Sequence, residues 1–199
     1  MTLRLFLISS ATLIAACQRP AEEPAASNDI TATNDMGEEN QAASAAAPHT
    51  AQLIDARGQP IGQVEVSEGG GGVILGLTAT GLPAGPHGVH LHEKGICDQP
   101  FESAGAHWNP AAKQHGRDNP KGAHLGDLDN VDAAAGAPLS KSFTIAGTTI
   151  SGAGDKLADA DGTSLVIHAA KDDYRTDPSG NSGARIACAV LNAANGERK

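Results

Sequence analysis

Short alternations of apolar and polar residues recur between residues 51 and 191. They occupy residues 51–55, 62–66, 73–78, 143–145, 164–167 and 186–191. A period of two predicts half-buried strands, and the Gly- and Pro-rich stretches between these runs predict turns. No stretch keeps a long helical period, and residues 155–161 could form a turn or two of helix at most. The pattern therefore predicts an all-β domain, an antiparallel sandwich or barrel.

The first 16 residues do not follow this pattern. Arg4 precedes a short apolar core, and small residues follow it up to Ala16. This arrangement is typical of a secretory signal peptide, and the apolar run is too short to span a bilayer as a helix. Residues 14–17, Ile-Ala-Ala-Cys, resemble a bacterial lipobox, so Cys17 is predicted to carry the lipid of the mature chain. The alternative is an ordinary cleaved signal, with Cys17 removed or free.

Residues 17–48 are predicted to form a lipidated N-terminus and a disordered acidic tether. Residues 18–48 hold six acidic side chains, one basic side chain and almost no large apolar groups. Such a composition cannot bury enough surface to fold. Residues 49–199 then form one domain by length, with 12 Lys and Arg against 17 Asp and Glu. No basic stretch with interleaved aromatic residues is present in the sequence, so a nucleic-acid partner is not expected.

Histidines are concentrated in one part of this domain. Of the eight in the chain, six lie between residues 87 and 124, and a seventh is His168. Such clustering indicates a metal site. His90 and His92 are two apart in an apolar run, which predicts a strand that presents both imidazoles on one face. The later histidines lie among Gly, Pro, Asn and Lys, so we expect them on a loop that folds back.

Counting ligands suggests two metals that share one residue. Three histidines with one aspartate suit tetrahedral zinc, whereas an all-nitrogen set suits Cu(II). Two full sites need more ligands than the seven candidate side chains, which are His90, His92, His107, His115, His124, Asp127 and His168. One side chain must therefore serve both metals, and an imidazole can do so through its two ring nitrogens.

These candidates belong to a longer series of motifs. The series consists of residues 90–92 (His-Leu-His), 105–110 (Gly-Ala-His-Trp-Asn-Pro), 115–116 (His-Gly), 124–127 (His-Leu-Gly-Asp), 165–168 (Leu-Val-Ile-His) and 183–188 (Gly-Ala-Arg-Ile-Ala-Cys). From about residue 50 to residue 192 the chain resembles the copper–zinc superoxide dismutase family, in its bacterial lipoprotein form. The resemblance implies an immunoglobulin-like Greek-key sandwich or flattened barrel with long metal-binding and electrostatic loops.

The resemblance also implies a role for each candidate. The implied copper ligands are His90, His92, His107 and His168, and the implied zinc ligands are His107, His115, His124 and Asp127. Asp172 matches an aspartate that hydrogen-bonds one ligand of each metal, here His90 and His115. Arg185 matches an arginine beside the copper that attracts the anion, and His107 is expected to deliver a proton. His87 matches a structural histidine, and His49 has no partner that we can name, so an incidental surface histidine is expected there.

Cysteine usage is consistent with an exported domain. If Cys17 is lipidated, Cys97 and Cys188 remain, and two cysteines in an exported domain most simply pair. The resemblance implies a bridge at these positions, between the loop after the His-x-His strand and the last strand. The alternative is two free thiols that join the metal sites, but soft thiolates favour Cu(I) and would oppose redox cycling.

The implied activity is conversion of superoxide to dioxygen and hydrogen peroxide by cycling of copper, with zinc in a supporting role. The chain is then expected in a bacterial cell envelope, anchored by lipid and facing the periplasm. Gln18, rather than Asp, follows Cys17, which favours the outer membrane over the inner one. A homodimer is compatible with the resemblance. Two rival hypotheses are an envelope lipoprotein that holds copper or zinc without turnover, and a structural relative that has lost its metals.

Overall fold

A computed structural model describes residues 47–191, and the predicted signal peptide, Cys17 and most of the tether lie outside the described residues. Nine strands follow one another: β1 (His49–Asp55), β2 (Pro60–Gly69), β3 (Gly72–Ala79), β4 (Gly85–His87), β5 (Val89–His92), β6 (Val131–Ala133), β7 (Leu139–Ala146), β8 (Ser164–His168) and β9 (Arg185–Val190). A single 3-10 turn, Glu102–Ala104, is the only helical element of the described chain. Nothing in that part forms a helix long and apolar enough to cross a membrane.

Seven strands form one antiparallel sheet in the order β5-β8-β9-β1-β2-β3-β7, and β4 pairs with β6 in a second, two-stranded sheet. Since β4 runs directly into β5 and β6 precedes β7, the small sheet joins the two edge strands of the large one. The order also places the last strand beside the first, and β7 beside β3. The predicted all-β fold is confirmed.

The differences from the sequence prediction are local. The strands β4 and β6 were not predicted, because three residues are too few to show an alternation. Residues 155–161, where a turn or two of helix was allowed, form bends and an isolated bridge between Thr149 and Lys156 instead. Glycine at positions 152, 154 and 162 is consistent with that irregular path.

The two faces of strands β5 and β8 have different roles. Val89, Leu91, Leu165 and Ile167 belong to the main apolar core, together with side chains from the other strands of the large sheet. The alternate positions, which are His90, His92, Val166 and His168, point to the opposite face. Every residue of both strands is buried. The histidines are therefore covered by loops rather than by the core.

A second apolar cluster holds the long β5–β6 loop on that outer face. Phe101 and Ala104 of the loop pack on Val166 and Cys188. Cys97 and Cys188 form the predicted disulfide, with a Cα–Cα distance of 5.8 Å and 91 positions between them. In the chain-entropy model a closed loop of this length stabilises the folded state by about 4–5 kcal/mol. The bridge thus ties the start of the histidine-rich loop to the last strand.

Candidate metal centre

The β5–β6 loop returns twice to the free edge of β5 and places its own ligands beside those of the strand. Isolated bridges pair His92 with His107 and His90 with Asp127. The Trp108 N–H donates to the Leu91 carbonyl at 2.8 Å on one side of this arrangement. The backbone N–H and C=O groups of the edge strand, which would otherwise lack partners, thus bind the loop and position its residues.

His168 comes from the neighbouring strand β8. The register between β8 and β9 shifts between Ile167 and His168, so that His168 lies opposite Arg185. A bulge of this kind turns the strand and redirects a side chain. The ring of His168 lies 4.8 Å from that of His90 and 5.8 Å from that of His92, measured between centroids.

Four imidazoles converge in what we call the strand-side set, which consists of His90, His92, His107 and His168. One nitrogen from each lies within 4.8 Å of the corresponding nitrogens of the others. His90 Nδ1 and the Nε2 atoms of the other three are buried and have no hydrogen-bond partner among the described residues. Four buried nitrogens without partners in one place carry a desolvation penalty that a bound cation would remove.

The second nitrogen of each ring is held from outside the set. His92 Nδ1 lies 3.0 Å from the carbonyl oxygen of Gly105, and His168 Nδ1 lies 3.1 Å from that of Gly183. A carbonyl accepts only, so each ring donates an N–H outward and directs its lone pair into the set. The strand-side set therefore fits a metal that prefers nitrogen ligands.

A loop-side set forms around one carboxylate oxygen and consists of His107, His115, His124 and Asp127. The Nδ1 atoms of the three histidines lie 3.0, 2.9 and 3.1 Å from Asp127 Oδ1. His124 Nδ1 is also 3.4 Å from His107 Nδ1. The other carboxylate oxygen accepts the backbone N–H of Gly116 at 2.8 Å. Three nitrogens and one oxygen that converge in this way fit tetrahedral zinc.

Proximity alone would allow a different loop-side set. Donor atoms of His90, His107, His115 and Asp127 also lie within 4.8 Å of one another. We assign His124 instead of His90, because His90 Nε2 is already 2.8 Å from Asp172 and its Nδ1 belongs to the strand-side set. His107 then joins the two sets, with Nε2 in one and Nδ1 in the other.

Asp172 connects the two sets behind the rings. Its side chain is fully buried, with Oδ2 accepting from His90 Nε2 at 2.8 Å and Oδ1 from His115 Nε2 at 2.9 Å. The close approach depends on Gly180, since a Cβ at that position would lie 1.8 Å from Asp172 Oδ1. Gly180 also has a φ of +63°, a conformation that favours glycine.

The electrostatics of the two sets differ in the metal-free protein. Burial, reinforced by neighbouring imidazoles, lowers the pKa of His92 to about 2, of His168 to about 3 and of His107 to about 4. Burial would also lower the pKa of His115, but hydrogen bonds to Asp127 and Asp172 outweigh it and raise that pKa to about 9. The neutral rings of the first set are ready to bind a cation, whereas His115 must first lose a proton.

Arg185 lies at the end of the strand-side set. Its guanidinium donates to the carbonyl of Phe101 at 2.6 Å and to that of Gly105 at 2.8 Å, and its side chain is 16% exposed. The carboxylate of Glu102 lies 3.8 Å away and is 76% exposed. Since Gly105 also accepts from His92, the arginine and a candidate ligand are held by the same carbonyl. The fixed positive charge suits a small anion.

The remaining two histidines lie outside both sets. His87 is buried, and its two nitrogens lie 2.7 and 2.8 Å from the carbonyls of His168 and Pro83, so neither is directed at a metal. His49 differs from the incidental surface residue expected, because it is half-buried at the start of β1 with Nε2 3.3 Å from the Leu191 carbonyl. The loop residues that support Asp172, among them Gly180, were not predicted, since no local sequence signal marks them.

Comparisons with known proteins agree with this geometry. The family model described as copper/zinc superoxide dismutase matches residues 61–191. A superoxide dismutase (Cu-Zn) of Caulobacter vibrioides is 44% identical over 146 residues, which cover 71% of this chain and 84% of that protein. A superoxide dismutase-like protein of Bacillus subtilis is 35% identical over 195 residues, or 95% of each chain.

Solved structures show the same fold. A crystal structure of a SOD-like protein from Bacillus subtilis superposes with a TM-score of 0.68 at 39% identity, covering 72% of this chain and 98% of that one. The Cu/Zn superoxide dismutase from Brucella abortus gives a TM-score of 0.58 at 28% identity, covering 73% of this chain and 100% of that one. The predicted Greek-key β architecture is confirmed by these structures.

Proposed function

The chain belongs to the copper/zinc superoxide dismutase family of oxidoreductases, with copper and zinc as its cofactors, and we propose that it converts superoxide to dioxygen and hydrogen peroxide with copper in the strand-side set and zinc in the loop-side set. The observation that carries this proposal is the group of four buried imidazole nitrogens without partners, one of them on a ring that also faces Asp127. An all-nitrogen set suits copper, and a set of three histidines and one carboxylate suits zinc.

When bound, copper supplies the one-electron chemistry: one superoxide loses an electron and leaves as dioxygen, and a second gains that electron and two protons and leaves as hydrogen peroxide. The protein must attract the anion, hold the ligands and provide a proton. His107 is placed for the last task. Its Nε2 faces the other three rings of the strand-side set, while Nδ1 remains directed at Asp127 3.0 Å away. A proton held at Nε2 lies where the reduced substrate needs it.

Arg185 attracts and orients the anion in this proposal. The guanidinium is anchored to two carbonyl oxygens, which accept its hydrogen bonds without cancelling its charge. Burial is the main cause of the lowered pKa of His92 and of His168, and the nearby charge of Arg185 lowers both further, which supports a role for it at the strand-side set. A positive charge fixed beside the site raises the local concentration of an anionic substrate.

The loop-side set supports the reaction without taking part in electron transfer, because zinc does not change its oxidation state. It holds His107 by Nδ1 and orders the β5–β6 loop, which carries all four of the proposed zinc ligands. Asp172 extends this support, since it holds the rings of His90 and His115 at once. Carboxylates behind metal-bound histidines fix ring orientation and tautomer.

The proposal includes a place in the cell. Residues 1–16 would direct export, Cys17 would carry the lipid and residues 17–48 would act as the tether. The domain would then face the periplasm from a bacterial membrane. Gln18, the residue after Cys17, favours the outer membrane. The sequence pattern supports this part of the proposal. Cys17→Ser in the full chain should move the protein from the membrane fraction to the soluble fraction, and sedimentation of the soluble form tests for the homodimer.

The test of function compares superoxide dismutation by the copper- and zinc-loaded wild-type chain with His168→Ala and a control, His49→Gln. We expect rapid turnover in wild type and control, and background turnover in His168→Ala with one equivalent of zinc still bound. His168 lies in the strand-side set alone, whereas His49 lies in neither set and its side chain hydrogen-bonds the Leu191 carbonyl. Wild-type protein that binds two metals without turnover would leave a metal-holding lipoprotein, the rival hypothesis.

A further inference from the structure

Tyr174 lies on the β8–β9 loop, two residues after Asp172, and is the only tyrosine of the chain. Its backbone N–H donates to Asp172 Oδ1 at 2.7 Å. The same oxygen accepts from His115 in the loop-side set, and the other accepts from His90 in the strand-side set. The Tyr174 peptide therefore binds directly to the carboxylate that connects the two sets, and a shift of this peptide would move that carboxylate.

Three further contacts attach Tyr174 to the β5–β6 loop. Its carbonyl accepts from the Asp118 N–H at 2.9 Å, and its hydroxyl accepts from the Asn130 N–H at 2.7 Å. The guanidinium of Arg117 lies over its ring, with the central carbon 3.7 Å from the ring centroid. That guanidinium also pairs with Asp129. A cation over an aromatic face is attractive, so the loop that carries the zinc ligands holds this ring.

Asn130 provides a parallel connection between the same two loops. Its side-chain oxygen accepts from the Asp172 N–H at 2.8 Å, and its side-chain N–H donates to the Asp172 carbonyl at 2.9 Å. The backbone of Asp172 is thus fixed by Asn130, and its carboxylate is oriented by Tyr174. Since the Asn130 N–H also donates to the Tyr174 hydroxyl, the two connections share one residue.

The backbone conformation of Tyr174 is one that its side-chain contacts must maintain. It has a φ of 61°, which glycine or asparagine adopts more readily than tyrosine. A bulky residue keeps such a conformation only where the surroundings maintain it. The contacts of the ring and hydroxyl with the β5–β6 loop account for a tyrosine at this position.

We infer that Tyr174 is a positioning residue that transmits the ordering of the zinc-binding loop to the Asp172 carboxylate and, through it, to the copper ligand His90. The inference rests on the proposed assignment of the two metals. Its consequence is that the electronic environment of copper depends on zinc through Tyr174 as well as through the shared ring of His107. Among the described residues no hydrogen bond joins Tyr174 to a candidate ligand nitrogen, so the inferred role is one of positioning and not of catalysis.

The test uses the full chain loaded with copper and zinc, or with copper alone. Tyr174→Gly removes the ring and hydroxyl and relieves the strained φ, so a loss cannot be attributed to backbone strain. Tyr174→Phe removes only the hydroxyl. Arg175→Gln is the control, because Arg175 is an exposed neighbour whose side chain makes no hydrogen bond or ion pair among the described residues. The readouts are zinc affinity by chelator competition and the EPR spectrum of Cu(II).

In Tyr174→Gly we expect zinc affinity to fall about 10-fold, at the lower end of the range for residues that support a metal ligand. The Cu(II) spectrum of its two-metal form should move toward that of wild type with copper alone. Tyr174→Phe should show a smaller shift in the same direction, and Arg175→Gln should show none.

Two results would overturn the inference: unchanged zinc affinity in Tyr174→Gly, or weakened zinc binding with a wild-type Cu(II) spectrum at full zinc occupancy. Both readouts are independent of turnover. If wild type bound both metals but failed to dismute superoxide, the proposed function would fail while these measurements still decided the role of Tyr174.

Discussion

The strand-side and loop-side sets share His107, yet the chain builds them in different ways. In the first set, His90, His92 and His168 come from β5 and β8, whose opposite faces fill the main core. In the second set, all four members lie on the β5–β6 loop, and Asp127 is the point where the three rings converge. The sheet holds the first set in place, whereas the second set depends on its own contacts and, in our proposal, on its metal.

The difference in construction is accompanied by a difference in charge. The rings of the strand-side set are neutral at pH 7 because burial lowers the pKa of each of them. The loop-side set contains an ionised carboxylate, because hydrogen bonds from His107 and His115 outweigh burial and lower the pKa of Asp127. The neutral all-nitrogen set suits copper, whereas the set with three histidines and a carboxylate suits zinc.

Asp127→Asn should have the largest effect, because it removes the only anionic candidate ligand and keeps the size of the side chain. We expect zinc affinity to fall by more than about 100-fold, since that is the upper end for a residue one step further from the metal. Copper should remain in the strand-side set, because three of its four rings are held by strands. Metal analysis after dialysis against a chelator checks this, and retention of one equivalent of zinc would contradict it.

Gly180→Ala should disturb both sets, because the new Cβ would lie 1.8 Å from Asp172 Oδ1 and 2.6 Å from His115 Nε2. We expect zinc affinity to fall about 10- to 100-fold through displacement of Asp172. Gly147→Ala is the matched control, since Gly147 also has a positive φ but open space around it. Equal zinc affinity in the two variants, measured by chelator competition, would show that Asp172 does not require this gap.

The two sets should differ in the pH dependence of metal binding. His115 in the metal-free protein has a pKa of about 9, so zinc must displace its proton, and zinc affinity should rise about tenfold per unit between pH 6.5 and 8.5. His92 and His168, with pKa values of about 2 and 3, carry no ring proton that copper must displace in this pH range. The affinity of the zinc-free protein for copper should therefore not change between pH 6.5 and 8.5. Calorimetry in buffers of different ionisation enthalpy measures the protons released.

The same shifts set the sign of the stability change in the metal-free protein. A histidine whose folded pKa is below the unfolded value of 6.5 loses its contribution as pH falls below 6.5, because the unfolded chain then binds protons that the fold excludes. His115 has the opposite effect, since its contribution is complete below pH 6.5 and is lost as pH rises through 9. The free energy of unfolding, measured with denaturant between pH 4 and 10, should therefore have its maximum between pH 6.5 and 9.

Glu102→Gln gives the smallest expected effect and tests the arginine beside the strand-side set. The carboxylate 3.8 Å from the Arg185 guanidinium offsets part of the charge that attracts the anion. Because an exposed pair contributes at most about 1 kcal/mol, we expect the bimolecular rate of superoxide consumption to rise about twofold at low salt, and less at high salt. A decrease in this rate at low salt would show that Glu102 supports the arginine instead of opposing it.

The long strands could be predicted because each has enough residues to show its alternation and each buries one face. The candidate ligands could be predicted because His90 and His92 lie on one strand face and because histidine is otherwise rare in the chain. The three-residue strands β4 and β6 could not be predicted, since they show no period and exist only as partners of each other. The hydrogen bond of His49 likewise joins it to Leu191, 142 positions away.

Residue type, period and local spacing were enough to predict the all-β class, the seven candidate ligands and the pairing of the two remaining cysteines, and the family resemblance implied how the ligands divide into two sets. The tertiary structure was needed to show which ring nitrogen faces each set, that the gap at Gly180 admits Asp172, and that Tyr174 and Asn130 connect two loops behind the two sets. Asp172 lies 42 positions from Asn130 and 82 positions from His90. No local pattern records such contacts, because they arise only when the sheet brings the loops together.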